Sequence, residues 1–215
     1  INEIANLCDL LGADINQVRK GIGSDSRIGS KFLYPGPGYG GSCFPKDVKA
    51  LLHTAKEYGY DMKVIKAVET ANEYQKDVLF RKIQKHFGNN TEGRKIAVWG
   101  LSFKPHTDDI RESSSIHLIK TLLNHKASVC AYDPAAMKET GKVLGNMIDY
   151  AASPYEAARG ADALAVVTEW PEFRIPDLKK LSELMKGKVI FDARNIYEPD
   201  DIKNAGFIYY GIGRR

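Results

Sequence analysis

At residues 88–93, Gly-Asn-Asn-Thr-Glu-Gly, the hydrophobic rhythm of the chain changes, and that change restricts the fold more than any other feature. Downstream, short apolar runs alternate with amphipathic segments. Strands are expected at 95–99, 128–132, 147–150, 163–167, 189–192 and 207–210, and helices at 115–123, 156–159 and 175–185. Alternation of this kind implies an α/β fold, a parallel sheet with helices on both faces. Open sheets of that type take ligands beyond the carboxyl ends of their strands. Phe103, Lys104 and Arg194 follow such ends and fall on the ligand-binding edge.

Upstream the pattern is helical. Ile4, Leu7, Leu10 and Leu11 recur at helical spacing until Gly12, and Asp14 can cap a second short helix running to about Gly21. Residues 29–45 hold Pro35, Gly36, Pro37, Gly38, Gly40, Gly41 and Pro45, a density of turn formers that makes an ordered loop. A helix is expected from 45 to about 58, then a single longer one from about 62 to 87. Its length suits a subunit interface or a plain core helix equally. The division is an all-helical region over residues 1–90 followed by a doubly wound parallel sheet over 94–215.

Composition removes several classes of function. In 215 residues, 43% are hydrophobic and 27% charged, as in ordinary globular chains. A net charge of +4 is compatible with a phosphate-bearing ligand, but it is too small and too dispersed for nucleic acid. No apolar run is long enough for a membrane span. Three widely spaced cysteines argue against disulfides or a zinc site, which makes a reducing, cytoplasmic setting the expectation. His53, His86, His106, His117 and His125 lack metal spacing, so no metal is expected. The chain opens at Ile1 within a helical pattern, so a partial function is expected.

Chemistry concentrates in Gly40-Gly41-Ser42-Cys43-Phe44-Pro45-Lys46-Asp47. Cys43 precedes a helix with Pro45 in its first turn, where unpaired N–H groups and the positive end of the dipole favour a nucleophilic thiolate. Lys46 adds positive charge, and Asp47 could orient a water or hold Lys46. A free cysteine is also a common core residue, the role expected of Cys8 and Cys130. The second signal, residues 100–115, follows the first strand and opens a helix but lacks G-x-G-x-x-G, so this sheet is not expected to bind a dinucleotide in the usual way. There Lys104 and Arg111 offer charges for phosphates and Phe103 a face for a ring. Arg111 could equally pair with Asp108 or Asp109, and Ser113 or Ser114 can cap the helix.

These stretches, with Asn2-Glu3, residues 25–33 (Asp-Ser-Arg-Ile-Gly-Ser-Lys-Phe-Leu) and Tyr132-Asp133-Pro134, resemble the UDP-glucose/GDP-mannose dehydrogenase family over essentially the whole chain. The resemblance implies a helical dimerisation unit with a catalytic-cysteine loop, then a Rossmann-like UDP-binding domain, with the main NAD-binding domain absent. It implies oxidation of UDP-glucose to UDP-glucuronate by two hydride transfers to NAD, through a thiohemiacetal and a thioester on Cys43. Asp47 resembles the aspartate that supports the water or a lysine. Arg27, Phe32, Leu33, Tyr34, Tyr39, Gly40, Phe103, Lys104 and Arg194 resemble substrate contacts, Arg27 reaching across a homodimer. Lys46 and Arg111 resemble residues near the cofactor. A fragment of this kind is expected to be inactive alone. A GDP-mannose 6-dehydrogenase fragment, or a nucleotide-sugar-binding and dimerisation module without catalysis, remain the alternatives.

Overall fold

A computed structural model describes residues 1–214. The helical region holds α1 (Asn2–Leu11), α2 (Ile15–Gly23), α3 (Phe44–Glu57), α4 (Lys63–Lys76) and α5 (Val78–His86). The Asp14 side chain caps α2 by accepting from the Asn16 N–H at 2.8 Å. The single helix expected over 62–87 is two helices, broken at Asp77. There the Asp77 N–H reaches back only three residues to the Tyr74 carbonyl, at 3.3 Å. That carbonyl also accepts from the Arg81 guanidinium at 2.9 Å, so it stays satisfied outside the regular ladder. The Asp77 carboxylate is engaged by His117 Nε2 at 2.6 Å, which ties the break to the next region.

The sheet comprises β1 (Lys95–Trp99), β2 (Ser128–Tyr132), β3 (Asp149–Tyr150), β4 (Ala163–Val166), β5 (Val189–Asp192) and β6 (Ile208–Tyr210). All five pairings are parallel, in the order β3-β2-β1-β4-β5-β6. This is the doubly wound Rossmann order, with its reversal between β1 and β4. The connecting helices are α6 (Ser114–Asn124), α7 (Met137–Leu144), α8 (Pro154–Ala158), α9 (Leu178–Leu184) and α10 (Pro199–Asn204). Of these, α7 and α10 were not foreseen; they are short, and α10 begins at a proline. The helix expected over 175–185 is confined to α9.

Period-two alternation sends each strand's side chains into two cores. Ile96, Val98, Ala163, Ala165, Val189 and Phe191 enter one, packed under α5 and α6 through Leu79, Ile83, Ile119 and Leu122. Ala97, Trp99, Leu164, Val166 and Ile190 enter the other with Ala157, Leu181 and Ile202 from α8, α9 and α10. Trp99, Phe173 and Phe191 are fully buried, and truncating an aromatic of this kind typically costs about 3–5 kcal/mol. Apart from α5, the helical region brings little apolar material to the core. From α1 and α2 only Ala5, Cys8 and Ile15 join the first core, beside Val78, Leu79, Phe80 and Ile83 of α5, whereas the buried residues of α4 are Asn72, Gln75 and Lys76. Polar contacts therefore decide how α4 sits.

Candidate active site

Cys43 is exposed, at the N-cap of α3 with Pro45 in the first turn, while Cys8 and Cys130 are buried. The loop that carries it is pressed against the segment between β1 and α6. The Gly41 N–H donates to the Arg111 carbonyl at 2.9 Å. A Cβ on Gly40 would lie far inside the Glu112 carbonyl, and one on Gly41 would come within 2.7 Å of the Phe103 ring. Gly41 also has φ +91, which L side chains rarely adopt. These two glycines are what let the cysteine loop close onto the sheet's carboxyl edge.

The other side of the loop is held by α4. Asn72 accepts from the Tyr39 N–H at 2.8 Å and donates to the Tyr39 carbonyl at 3.2 Å. Gln75 donates to the Gly36 carbonyl at 2.8 Å, and Asn2 accepts from the Gly36 N–H at 2.9 Å. The Tyr39 hydroxyl donates to Glu69 at 2.8 Å. Burial, and then the Glu69 carboxylate, push that hydroxyl well above its usual range and keep it a donor. The Tyr39 ring meets Phe44 edge-on at 4.6 Å.

Charges fasten the junction. Buried Lys76 donates to Glu73 at 2.7 Å and to Glu112 at 2.9 Å, and Lys49 of α3 approaches Glu112 at 3.4 Å. The Lys76 hydrogen bond holds the Glu112 carboxyl below its ordinary 4.5. Burial pulls Lys76 down, but its two carboxylate partners outweigh that and raise it above 10.5. The signs fix the pH window. A depressed Glu112 contributes stability above 4.5 that is lost as pH falls through its folded value; a raised Lys76 contributes stability below 10.5 that is lost as pH rises through its own. Acid melts should show this loss, and the drop in melting temperature below pH 4.5 should be smaller in a Lys76→Gln chain; equal drops would mean that the junction carries no such linkage.

Next to Cys43, the Ser42 hydroxyl lies 3.7 Å from the sulfur. Asp109 is forked by Arg111, Nε at 2.9 Å and Nη2 at 2.8 Å. Of the two acids offered to Arg111 by the sequence, Asp109 is the one used. Lys46 and Asp47 pair with each other at 3.6 Å, both exposed. On the far side of Phe103, Arg194 donates to the Phe103 carbonyl at 3.1 Å and to Val167 O at 2.8 Å, and pairs with Glu169 at 3.0 Å. Asp192, fully buried, accepts from the Arg194 N–H at 3.0 Å and fixes this turn. Its carboxyl is pushed up to about 6 because burial outweighs its donors. The Lys104 ammonium lies 5.3 Å from the Phe103 ring centroid.

The expected site residues thus fall into two groups. Cys43, Gly40, Phe103, Arg111 and Arg194 are linked through the contacts just described. Arg27 instead forks onto Asp25 and is 86% exposed, Phe32 is 96% exposed, Leu33 is half-buried, and Tyr34 lies beneath the Arg19 guanidinium at 4.1 Å. Asn72, Gln75, Glu69, Lys76 and Glu112 are not expected from the sequence, and Asp109 is expected there only as one of two possible partners of Arg111. The first four recur at three- and four-residue spacing along α4, a polar stripe that could have revealed a packed polar face. A cavity of about 830 Å³ between α1 and α4, lined by Leu7, Leu10, Lys66 and Tyr74 among others, does not include Cys43.

The turn after β1 does not fit a dinucleotide. Asp133, at the end of β2, accepts from the Leu101 N–H at 2.7 Å and from the Ser102 N–H at 3.1 Å. It also accepts from Ala135, Ala136 and the Trp170 indole. The N–H groups that cradle a diphosphate in a dinucleotide fold are thereby taken by an internal carboxylate. Among the described residues no cluster of three or more His, Cys, Asp or Glu is placed to hold a metal, and no helix is long and apolar enough to cross a membrane.

A Rossmann-type α/β architecture, with an exposed thiol set where a helical platform meets the sheet's carboxyl edge, defines the class of protein. The sequence pattern of the UDP-glucose/GDP-mannose dehydrogenase family, central domain, matches residues 1–74, and that of its UDP binding domain matches residues 97–199. The chain belongs to the UDP-glucose/GDP-mannose dehydrogenase family. It is 48% identical to a UDP-glucose 6-dehydrogenase of Pseudomonas aeruginosa, over 100% of this chain and 48% of that protein. To one of Rhizobium meliloti it is 46% identical, over 100% of this chain and 49% of that protein. The solved structure of a UDP-glucose dehydrogenase from Pyrobaculum islandicum superposes with a TM-score of 0.87 at 34% identity, covering 100% of this chain and 47% of the other. The chain thus spans about half the length of the curated relatives it matches.

Proposed function

We propose that this chain carries the substrate side of an NAD-dependent UDP-glucose 6-dehydrogenase, with residues 1–90 as a dimerising helical unit and 94–215 as the UDP-binding domain. The observation that carries the reading is Cys43, exposed at the start of α3, on a loop whose Gly41 packs on the Phe103 ring and bonds the Arg111 carbonyl. The names of the relatives favour UDP-glucose over GDP-mannose. Exposed Leu7, Leu10, Val64 and Val68 on α1 and α4 favour a homodimer through the helices. The buried free thiols of Cys8 and Cys130 agree with a cytoplasmic setting.

NAD, held by a part of the whole protein beyond the turn closed by Asp133, would supply the hydride acceptor in both oxidations. The residues of this chain carry the covalent steps and the substrate contacts. The Cys43 sulfur adds to the C6 aldehyde, forming a C–S bond while the carbonyl oxygen takes up a proton, which gives a thiohemiacetal. Once that carbon is oxidised to a thioester, water oriented by Asp47 adds to it. The C–S bond breaks, the thiolate leaves, and the carboxylate is released with the two protons of the water. Covalent attachment keeps the aldehyde from diffusing away. Phe103, Lys104, Arg194 and the loop carrying Phe32, Leu33, Tyr34, Tyr39 and Gly40 hold the nucleotide sugar, Arg27 reaches a neighbouring subunit's substrate, and Lys46 and Arg111 face the cofactor.

Alkylation with iodoacetamide tests the reading. Cys43 should label at least about tenfold faster than Cys8 and Cys130 in the folded chain, and UDP-glucose should slow it more than GDP-mannose does. Equal, slow labelling of all three thiols would remove the nucleophile. Protection by GDP-mannose alone would move the substrate to the rival sugar.

A further inference from the structure

We propose that Asp109 is the positioning residue of the thiol site: it holds the Arg111 guanidinium against the loop that carries Cys43, where the Gly41 N–H already donates to the Arg111 carbonyl at 2.9 Å. The inference deepens the reading above and rests on Cys43 as the nucleophile. Asp109 carries no role in that chemistry so far.

The geometry is a short chain of contacts. Asp109 takes the Arg111 side chain on both carboxylate oxygens, Nε on Oδ1 and Nη2 on Oδ2, and also accepts the Arg111 N–H at 2.9 Å. Three bonds from one residue to one carboxylate leave the guanidinium plane a single orientation. Nη1 has no hydrogen-bond partner among the described residues. The Ser42 hydroxyl lies 3.7 Å from the Cys43 sulfur. Arg111 is otherwise free to swing, its side chain being 70% exposed, whereas Asp109 is 15% exposed and anchored by its own backbone. The Asp109 carbonyl accepts from the Phe103 N–H at 3.1 Å, and its N–H donates to the Thr107 hydroxyl at 3.2 Å. A fixed acid therefore sets the direction of a mobile base.

The electrostatics agree in sign. Arg111 hydrogen bonding, with a smaller contribution from Ser42, holds the Asp109 carboxyl below its ordinary value, so it remains ionised. Asp109 first, and the Cys43 thiol last, hold Arg111 above its own. Removing Asp109 thus has two opposed effects on Cys43. It deletes a nearby negative charge, and it releases the positive one. If the acid only screens Arg111, its loss makes the site more positive; if it positions Arg111, its loss makes the site less so.

Paired alkylation of the 215-residue chain separates the two. Anionic iodoacetate and neutral iodoacetamide attack the same sulfur, and their rate ratio reads the local charge. In the parent chain Cys43 should show a ratio above that of a free thiol. Arg111→Gln and Asp109→Asn should each lower it, by about fivefold at low salt, the size of one nearby charge in a watery site. Asp109→Glu, which keeps the carboxylate, should recover part of it. A ratio that rises or stays fixed in Asp109→Asn overturns the inference. Cys8 and Cys130 serve as the fold control, since both stay unlabelled while the cores hold. Should Asp109→Asn expose them, Arg111→Gln carries the test, and an unchanged ratio there overturns the inference equally. Failure of the functional reading looks different: Cys43 would then label no faster than the buried thiols even with iodoacetamide.

Discussion

Replacing Cys43 by alanine in the whole protein should reduce uronate formation by about a thousandfold or more, the scale on which loss of a covalent nucleophile is felt. The exposed sulfur at the head of α3 is the only group in the junction able to form a covalent adduct with an aldehyde and later leave as a stable anion. Ser42, its neighbour, is a far poorer nucleophile without a base to activate it. Without the sulfur, the second oxidation should stall at the aldehyde. Hydroxylamine added to the reaction should trap that aldehyde in the Cys43→Ala protein and not in the parent. A variant that makes uronate at the parent's rate would refute the covalent step.

The second large effect is expected from Gly40→Ala. The added methyl meets the Glu112 carbonyl, a backbone atom, while the neighbouring Gly41 N–H is bonded to the Arg111 carbonyl at 2.9 Å. Neither side can yield by rotating a side chain. Overpacking of this kind costs about 1–3 kcal/mol, and two tethered backbones put this site at the upper end. For a chain of this size the melting temperature should fall by roughly 10 °C. Because the clash lies between the cysteine loop and the sheet, the loss should appear first as broken steering of Cys43 by Arg111. A drop of less than about 2 °C would show that the two segments slide past each other freely.

Much of the sheet was legible from the chain alone. Runs such as 95–99 and 163–167 are apolar on both faces, the mark of a strand buried between two helical layers, and they lie in the structure within a residue of their expected ends. The capping residues Asp14 and Ser113 also do what their position suggests. The break at Asp77 was not legible, because local sequence there remains helical on both sides and the interruption depends on His117 and Arg81. Short α7 and α10 escaped for the same reason: Leu144 and Ile202 are buried by tertiary packing and not by a repeating pattern.

The site was legible only in part. Cys43 and the glycines before it announce themselves through residue type and spacing, and Arg111 through its position after β1. Asp109 could be named as a partner but not chosen over Asp108, since the choice depends on how the loop folds back on Phe103. Glu112 gave no local signal. Its importance arises from Lys76 and Lys49, which come from two helices far away in sequence.

The hydrogen-bonded face of α4 has one more consequence. Oily surfaces tolerate small slips, since a methyl finds another methyl nearby. Asn72 and Gln75 do not, because each reads one particular peptide group of the loop. Rotating α4 by a single residue would strand these amides together with the peptides they serve. The helix therefore behaves as a key with one fitting position, and the placement of the sulfur several ångströms away inherits that all-or-none character.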